Sequence, residues 1–179
     1  MRRLALVSVS LLALLAGFYL SARINTPKPA IPQKPANVKL VGEQQPGFEL
    51  FSNTGETVSH SKYADSTILF NFWATWCVPC RAEMPMLMEL HSEYAKRGFQ
   101  VVGIALDDVE QVNRFITEIG ISYPILVGEA DVMATTAAYG NATGVLPYSV
   151  LVDKNGIIRW QYAGDVDRQE ISLLLEQLL

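Results

Sequence analysis

The chain has 179 residues, half of them apolar and 18% charged, which excludes disorder over most of its length. All 18 acidic residues lie at Glu43 or later, whereas six of the 14 basic ones lie before Val41, so the part able to fold carries 8 basic against 18 acidic residues, net −10. That sign excludes nucleic acid and anionic lipid as partners of the folded part, and the length leaves room for one ordinary domain.

Arg2 and Arg3 precede LALVSVSLLALLAGFYL, residues 4–20, an uncharged run that Ser21, Ala22 and Arg23 follow. Residues 1–22 read as a membrane-targeting segment with its positive end on the cytoplasmic side. At about 1.5 Å per residue the run covers about 26 Å as a helix, short for a full span but enough for a thin or locally adjusted bilayer. Two readings stay open: a retained signal anchor, and a signal peptide cut after Ala22, against which the large Leu20 counts. Either places the domain outside the cytoplasm, held by a single membrane pass or released after cleavage. Residues 23–39 hold Pro27, Pro29, Pro32 and Pro35 and read as a semi-rigid linker. Residues 40–179 form the folded domain.

Within it, Phe48 to Leu50, the turn Asn53-Thr54-Gly55 and Val58 predict a short N-terminal hairpin. Thr67 to Phe72 is apolar almost throughout, as a strand buried on both faces is. Val78 to Lys96 carries Met84, Leu87, Met88, Leu90 and Tyr94 at mostly helical spacing, and predicts a helix kinked at Pro85 and ended near Gly98. Phe99 to Ala105 is the next strand, and Val109, Val112, Phe115, Ile116 and Ile119 form the apolar stripe of the next helix. A short strand at Ile125 to Val127, a short helix at Val132 to Tyr139, and an antiparallel pair at Tyr148 to Val152 and Ile157 to Tyr162 follow. Asp167, with Glu170 three residues on, predicts the N-terminus of a closing helix. The order describes an α/β fold: a mixed central sheet covered by helices.

A buried strand here delivers Cys77 and Cys80 to the first turn of a helix. Two cysteines this close cannot staple distant elements, so the spacing points to redox chemistry or half a metal site. A zinc site needs further ligands, and beyond the pair only His60 and His91 offer imidazoles; both read as surface residues. Unpaired backbone donors and the helix dipole favour negative charge at Cys77, the attacking residue in this reading. Cys80, one turn later, is placed to resolve a mixed disulfide between Cys77 and a client, leaving a Cys77–Cys80 disulfide as the redox-active group with no other cofactor. Val78 adds neither charge nor a donor, and Pro79 fixes the early helix without leaving an unpaired N–H. Glu83 lies a turn beyond Cys80: as a partly buried carboxyl it would exchange a proton with the Cys80 thiol, and as a solvated residue beside Arg81 it would do nothing. Trp76 is a candidate rim for client contact, whereas Trp73 reads as packing under the site. A cis bond at Leu146-Pro147 would bring backbone groups beside the cysteines for pairing with an extended client.

The stretch FNFWATWCVPCRAEMP, with the layout from Val41 to Leu179, resembles the TlpA-like, or ResA/DsbE-like, branch of the thioredoxin superfamily. That resemblance implies a thioredoxin-like fold, attack by Cys77, resolution by Cys80 and an acidic role for Glu83. It also makes Gly144-Val145-Leu146-Pro147-Tyr148-Ser149 the equivalent of a cis-proline loop, although this chain has two residues between glycine and proline where the family usually has one. Asn71 stands where ordinary thioredoxins have a buried aspartate and cannot exchange that proton. Implied partners are client proteins with cysteines or disulfides, apocytochrome c among them, and a DsbD- or CcdA-like membrane electron donor; the domain is expected to be a monomer. Oxidation or isomerisation of secreted proteins is the alternative enzymatic reading, and a thiol-dependent client-binding module the non-catalytic one. The opening Gly42 to Leu50 also resembles that of peroxiredoxins, but FWATWCVPC lacks the threonine-containing motif of their peroxide-attacking cysteine.

Overall fold

The computed structural model describes residues 37–179. The apolar run at 4–20 and the prolines of the linker lie outside the described residues. Among the described residues no helix is long and apolar enough to cross a membrane.

Seven strands form one mixed sheet. In chain order the elements are β1 (Glu49–Ser52), β2 (Thr57–Ser59), β3 (Thr67–Trp73), α1 (Val78–Tyr94), β4 (Phe99–Leu106), α2 (Val109–Ile119), β5 (Ile125–Gly128), α3 (Ala130–Ala138), β6 (Tyr148–Val152), β7 (Ile158–Ala163) and α4 (Arg168–Leu178). The spatial order is β2-β1-β5-β4-β3-β6-β7. β3 runs parallel to β4 and antiparallel to β6. The parallel pair β4 and β5 is flanked by antiparallel β1, so β1 and β2 are part of the main sheet.

Every residue of β3 is buried, because the strand lies mid-sheet with a core on each face. Ile68, Phe70 and Phe72 enter one core with Phe48, Tyr63, Val132 and Tyr139, where Phe48, Tyr63 and Tyr139 set their rings edge-on to Phe70. Leu69 and Trp73 enter the other, with Leu87 and Leu90 of α1, Phe115 of α2 and Ile171 and Leu175 of α4. The period of two puts Asn71 on this second face, a polar residue in the middle of an apolar layer. Such a group requires partners, and α1 supplies one.

Several local expectations need adjustment. The helix runs through Pro85 as expected, but its α-helical part stops at Tyr94, and a single 3-10 turn then leads to Gly98, whose φ of 85° suits glycine. Val109, expected in the core stripe of α2, is exposed at the first turn, while Val112 and Phe115 carry the burial. Asp167 does cap α4, its Oδ1 accepting from Glu170 N at 2.8 Å. Glu170 does not close the reciprocal box, since its Oε1 accepts from the Trp160 indole at 2.8 Å. His60 and His91 are not free surface residues. His60 Nδ1 accepts from Phe48 N, and His91 Nδ1 accepts from Val101 N at 3.1 Å. The second bond has a clear cause: β5 begins opposite Gly103, so Val101 has no strand partner on that side and the imidazole takes its N–H.

Candidate active site

β3 ends at Trp73, and the chain turns through Ala74, Thr75 and Trp76 into α1. Asp107, just past the end of β4, fastens this turn: its Oδ2 accepts from both the backbone N and the hydroxyl of Thr75. Cys77 then occupies the N-cap of α1 with extended backbone (φ −84°, ψ 102°), and its sulfur accepts from Cys80 N at 3.3 Å. Val78 and Pro79 fill the first helical positions, where a missing N–H leaves nothing unpaired. Cys77 and Cys80 are joined by a disulfide, with Cα atoms 5.3 Å apart. Cys80 is fully buried and Cys77 nearly so.

Glu83 is 6% exposed, which sets aside the solvated-surface alternative. Its Oε1 accepts from Asn71 Nδ2 at 2.7 Å and its Oε2 from Val166 N at 2.8 Å, so β3, α1 and the β7–α4 loop meet at one carboxyl. Asn71 Nδ2 also donates to Ser149 Oγ at 3.0 Å, tying in β6 two residues after Pro147. Burial raises the Glu83 pKa to about 7; the bonds from Val166 and Asn71 pull it down, the charge of Asp165 adds to the rise, and desolvation prevails. Despite its burial Glu83 borders a surface cleft of about 280 Å³ with Met86, Asp165 and Arg168, a short route to solvent.

Around this centre Trp73 is fully buried in the same core as the two cysteines, and Trp76 is 66% exposed. Gly103 explains how the Trp73 ring fits: a Cβ there would lie 3.0 Å from Trp73 Nε1 and 3.1 Å from the Tyr123 ring. Burial pushes the Tyr123 phenol above its ordinary range, and the charge of Glu83 adds to it. The Leu146–Pro147 peptide is cis, with Leu146 packed against both cores and Val145 exposed beside it.

The family model described as AhpC/TSA family matches residues 41–161. The thiol-disulfide oxidoreductase ResA of Geobacillus thermodenitrificans is 32% identical over 99% of this chain and 97% of its own length, and that of Geobacillus kaustophilus is 31% identical over the same shares. Among solved structures, a protein of Chlorobium tepidum proposed to be a thiol:disulfide interchange protein DsbE is 29% identical, with TM-score 0.68 over 77% of this chain and 95% of the other. A DsbF homologue from Corynebacterium diphtheriae is 26% identical, with TM-score 0.65 over 86% and 98%. The chain belongs to the AhpC/TSA family, as a ResA-like thiol-disulfide oxidoreductase of the thioredoxin superfamily. Its redox-active group is the Cys77–Cys80 disulfide.

For this oxidoreductase the structure brings together Cys77, Cys80, Glu83, Asn71 and Trp73 about the first turns of α1, with Trp76 exposed at the rim. Sequence reasoning missed Ser149, Val166, Asp107 and Asp165. Their partners are 32 to 83 residues away for the first three, beyond any local spacing. The available signals were a lone serine in an otherwise apolar strand and an Asp-Asp pair where a strand passes into a helix.

The raised carboxyl makes stability depend on pH. Because the folded-state pKa lies above the unfolded value near 4.5, the folded state binds the extra proton; the contribution is full below about pH 4.5 and is lost as pH rises through about 7. Urea unfolding of the oxidised protein and of Glu83→Gln should therefore show their stability difference shifting by about 3 kcal/mol against the native chain between pH 4.5 and 8. A constant difference across that range would place the Glu83 pKa near its ordinary value.

Proposed function

We propose that the protein works as a reductant of disulfides in client proteins outside the cytoplasm. The observation that carries this reading is the buried carboxyl of Glu83, with a pKa near neutrality, one helical turn beyond a disulfide at a helix N-terminus. In the reduced enzyme Cys77 attacks a client disulfide. A Cys77–client bond forms, the client's S–S bond breaks, and the departing client thiolate takes a proton. Cys80 then attacks Cys77, restoring the Cys77–Cys80 disulfide and releasing the second client sulfur as a thiolate, so that two electrons pass to the client and its two thiolates take their protons from solvent. Glu83 takes the proton that Cys80 must lose to attack, and passes it to solvent through the cleft beside Asp165 and Arg168.

Asn71 supports this role. An amide can donate to a carboxylate or, turned about, accept from a carboxylic acid, so it serves both protonation states of Glu83 without competing for the proton. Trp76, Val78, Pro79, Leu146 and Pro147 form the client-facing rim, the backbone of Leu146 pairing with an extended segment while Asn141 holds Val145 and Gly164 N holds the Pro147 carbonyl. Residues 1–22 act as signal anchor or signal peptide, 23–39 as linker, and 40–179, with its N-terminal hairpin, as the working domain in the periplasm. Electrons come from a DsbD- or CcdA-like membrane protein, and apocytochrome c is a client. The likeness to the two ResA proteins over nearly the full chain supports this arrangement.

Three measurements test it. Cys80→Ser should accumulate a client disulfide-linked through Cys77 in peptide maps; trapping through Cys80 in Cys77→Ser instead would reverse the assignment. The equilibrium potential of the pair should lie below about −200 mV, whereas a value near −120 mV would make the protein an oxidant. In Glu83→Gln the inflection near pH 7 in the exchange rate should disappear; an unaltered profile would remove Glu83 from the proton transfer.

A further inference from the structure

Residues 37–40 run beside the loop that links α3 to β6. Asn37 Oδ1 accepts from the backbone N of Thr143 at 3.2 Å and from its hydroxyl at 2.8 Å. Val38 N donates to Gly140 O at 2.9 Å, an approach so close that a Cβ on Gly140 would lie 2.4 Å from the Val38 carbonyl oxygen. Leu40 then packs against the core that holds Phe70 and Tyr148. The segment that follows the proline-rich stretch is therefore fastened to this loop before it reaches β1.

From these contacts two lines of hydrogen bonds converge on Leu146 and Pro147. On one side the Thr143 hydroxyl lies 3.3 Å from Oδ1 of the buried Asn141. The Asn141 amide pairs with Val145 as a neighbouring strand would, accepting from its N at 3.1 Å and donating to its O at 2.8 Å. On the other side Gln161 Nε2 donates to Val38 O at 2.9 Å and to the hydroxyl of Tyr148 at 3.0 Å, and that hydroxyl donates to Tyr139 O at 2.8 Å. Tyr148 directly follows Pro147, so the place of the Leu146 backbone is fixed from both directions. Pairing with an extended peptide gains from such fixing, because the loop then needs no ordering at the moment of binding.

We infer that Asn37 is a positioning residue for client reduction: it clamps Thr143 so that the loop presents the Leu146 backbone to an extended client. The inference rests on the proposed pairing at Leu146 and specifies what keeps that pairing site in place. The two asparagines have opposite requirements. Both partners of Asn37 Oδ1 are donors, so a carboxylate at position 37 serves as well as the amide. Asn141 must both accept from Val145 N and donate to Val145 O, so an ionised carboxylate there would face a carbonyl with no proton between them.

The test uses the reduced full chain and two disulfides: a neutral extended peptide whose one cysteine is blocked as a mixed disulfide with 2-mercaptoethanol, and bis(2-hydroxyethyl) disulfide, which has no backbone to pair. The readout is the ratio of the peptide rate constant to that of the small disulfide, in which any change in the cysteine pair itself cancels. Asn37→Ala should lower the ratio about threefold, the scale of a lost hydrogen bond at an exposed site. Asn37→Asp should keep the ratio of the unaltered chain, and Asn141→Asp should lower it at least as far as Asn37→Ala. A ratio unmoved in Asn37→Ala, or one that Asn37→Asp lowers equally, would overturn the assignment; Asn37 is exposed, so this comparison stands even where the Asn141 variant fails to fold. The same peptide N-methylated at the residues flanking its cysteine separates the levels. If it reacts with the unaltered chain as fast as its parent, the pairing at Leu146 fails and the clamp with it. If it reacts more slowly and Asn37→Ala still leaves the ratio unmoved, the clamp alone fails. If neither disulfide exchanges at all, the reductase reading fails and carries the clamp with it.

Discussion

The burial of one carboxyl holds the site together. Glu83 is the point at which the central strand, the cysteine helix and the loop into α4 meet, through donors from Asn71 and Val166. Two hydrogen bonds to a carboxylate would ordinarily hold its pKa down, yet here it rises to about 7 because the apolar layer around it denies the charge its solvation. The outcome is a group that changes state near neutrality for a small cost in either direction. An aspartate at position 71 would bring a second negative charge to this pocket and couple the two titrations; the asparagine keeps one titrating carboxyl at the centre.

The position of Asn71 follows from the fold. Strand β3 is apolar because both of its faces are covered, and its alternation sends Ile68, Phe70 and Phe72 to one core and Leu69, Asn71 and Trp73 to the other. Only the second face meets α1, which starts where β3 ends. The same geometry that aims the strand at the helix N-terminus therefore puts Asn71 opposite Glu83. Asp107 completes the frame from the neighbouring strand, holding Thr75 so that Trp76 projects outward and Cys77 reaches the N-cap. Gly103 is part of this frame by absence of a side chain, leaving room for the Trp73 and Tyr123 rings beneath the cysteines.

Much of this was legible in the sequence, for identifiable reasons. The uninterrupted apolar run of β3, the helical spacing after Cys77 and the stripe of α2 are local patterns, and local patterns survive translation into structure. What was not legible came from contacts made by topology. His91 sits where a helix period places a half-exposed residue, and nothing nearby in sequence says that β4 outruns β5 and leaves Val101 N in need of an acceptor. Glu170 has the spacing of a capping box, but its carboxylate meets the Trp160 indole across the gap between β7 and α4. Val166 and Ser149 are ordinary loop and strand residues until the fold brings them within reach of Glu83 and Asn71. The sequence left Glu83 open between a buried and a solvated state, and only its three-dimensional neighbours decide between them.

The charged residues about the site fall into two groups. Asp165 and Arg168 flank Glu83 on the cleft side, where the carboxyl can reach water without opening the core. Asp107, Asp108 and Glu129 lie along the Trp76 side, where exposed apolar side chains adjoin them. One group of charges thus bears on a buried titrating residue, and the other on whatever approaches the rim. A net charge of −10 on the part from Val41 onward, spread evenly, would bear on solubility alone; carboxylates set beside a Trp, a Met and a Phe in an open groove define a surface with both a sign and a shape. The buried carboxyl and the exposed apolar rim thus lie on different sides of the same short helix turn, so that a change among the rim residues need not disturb the bonds that hold Glu83.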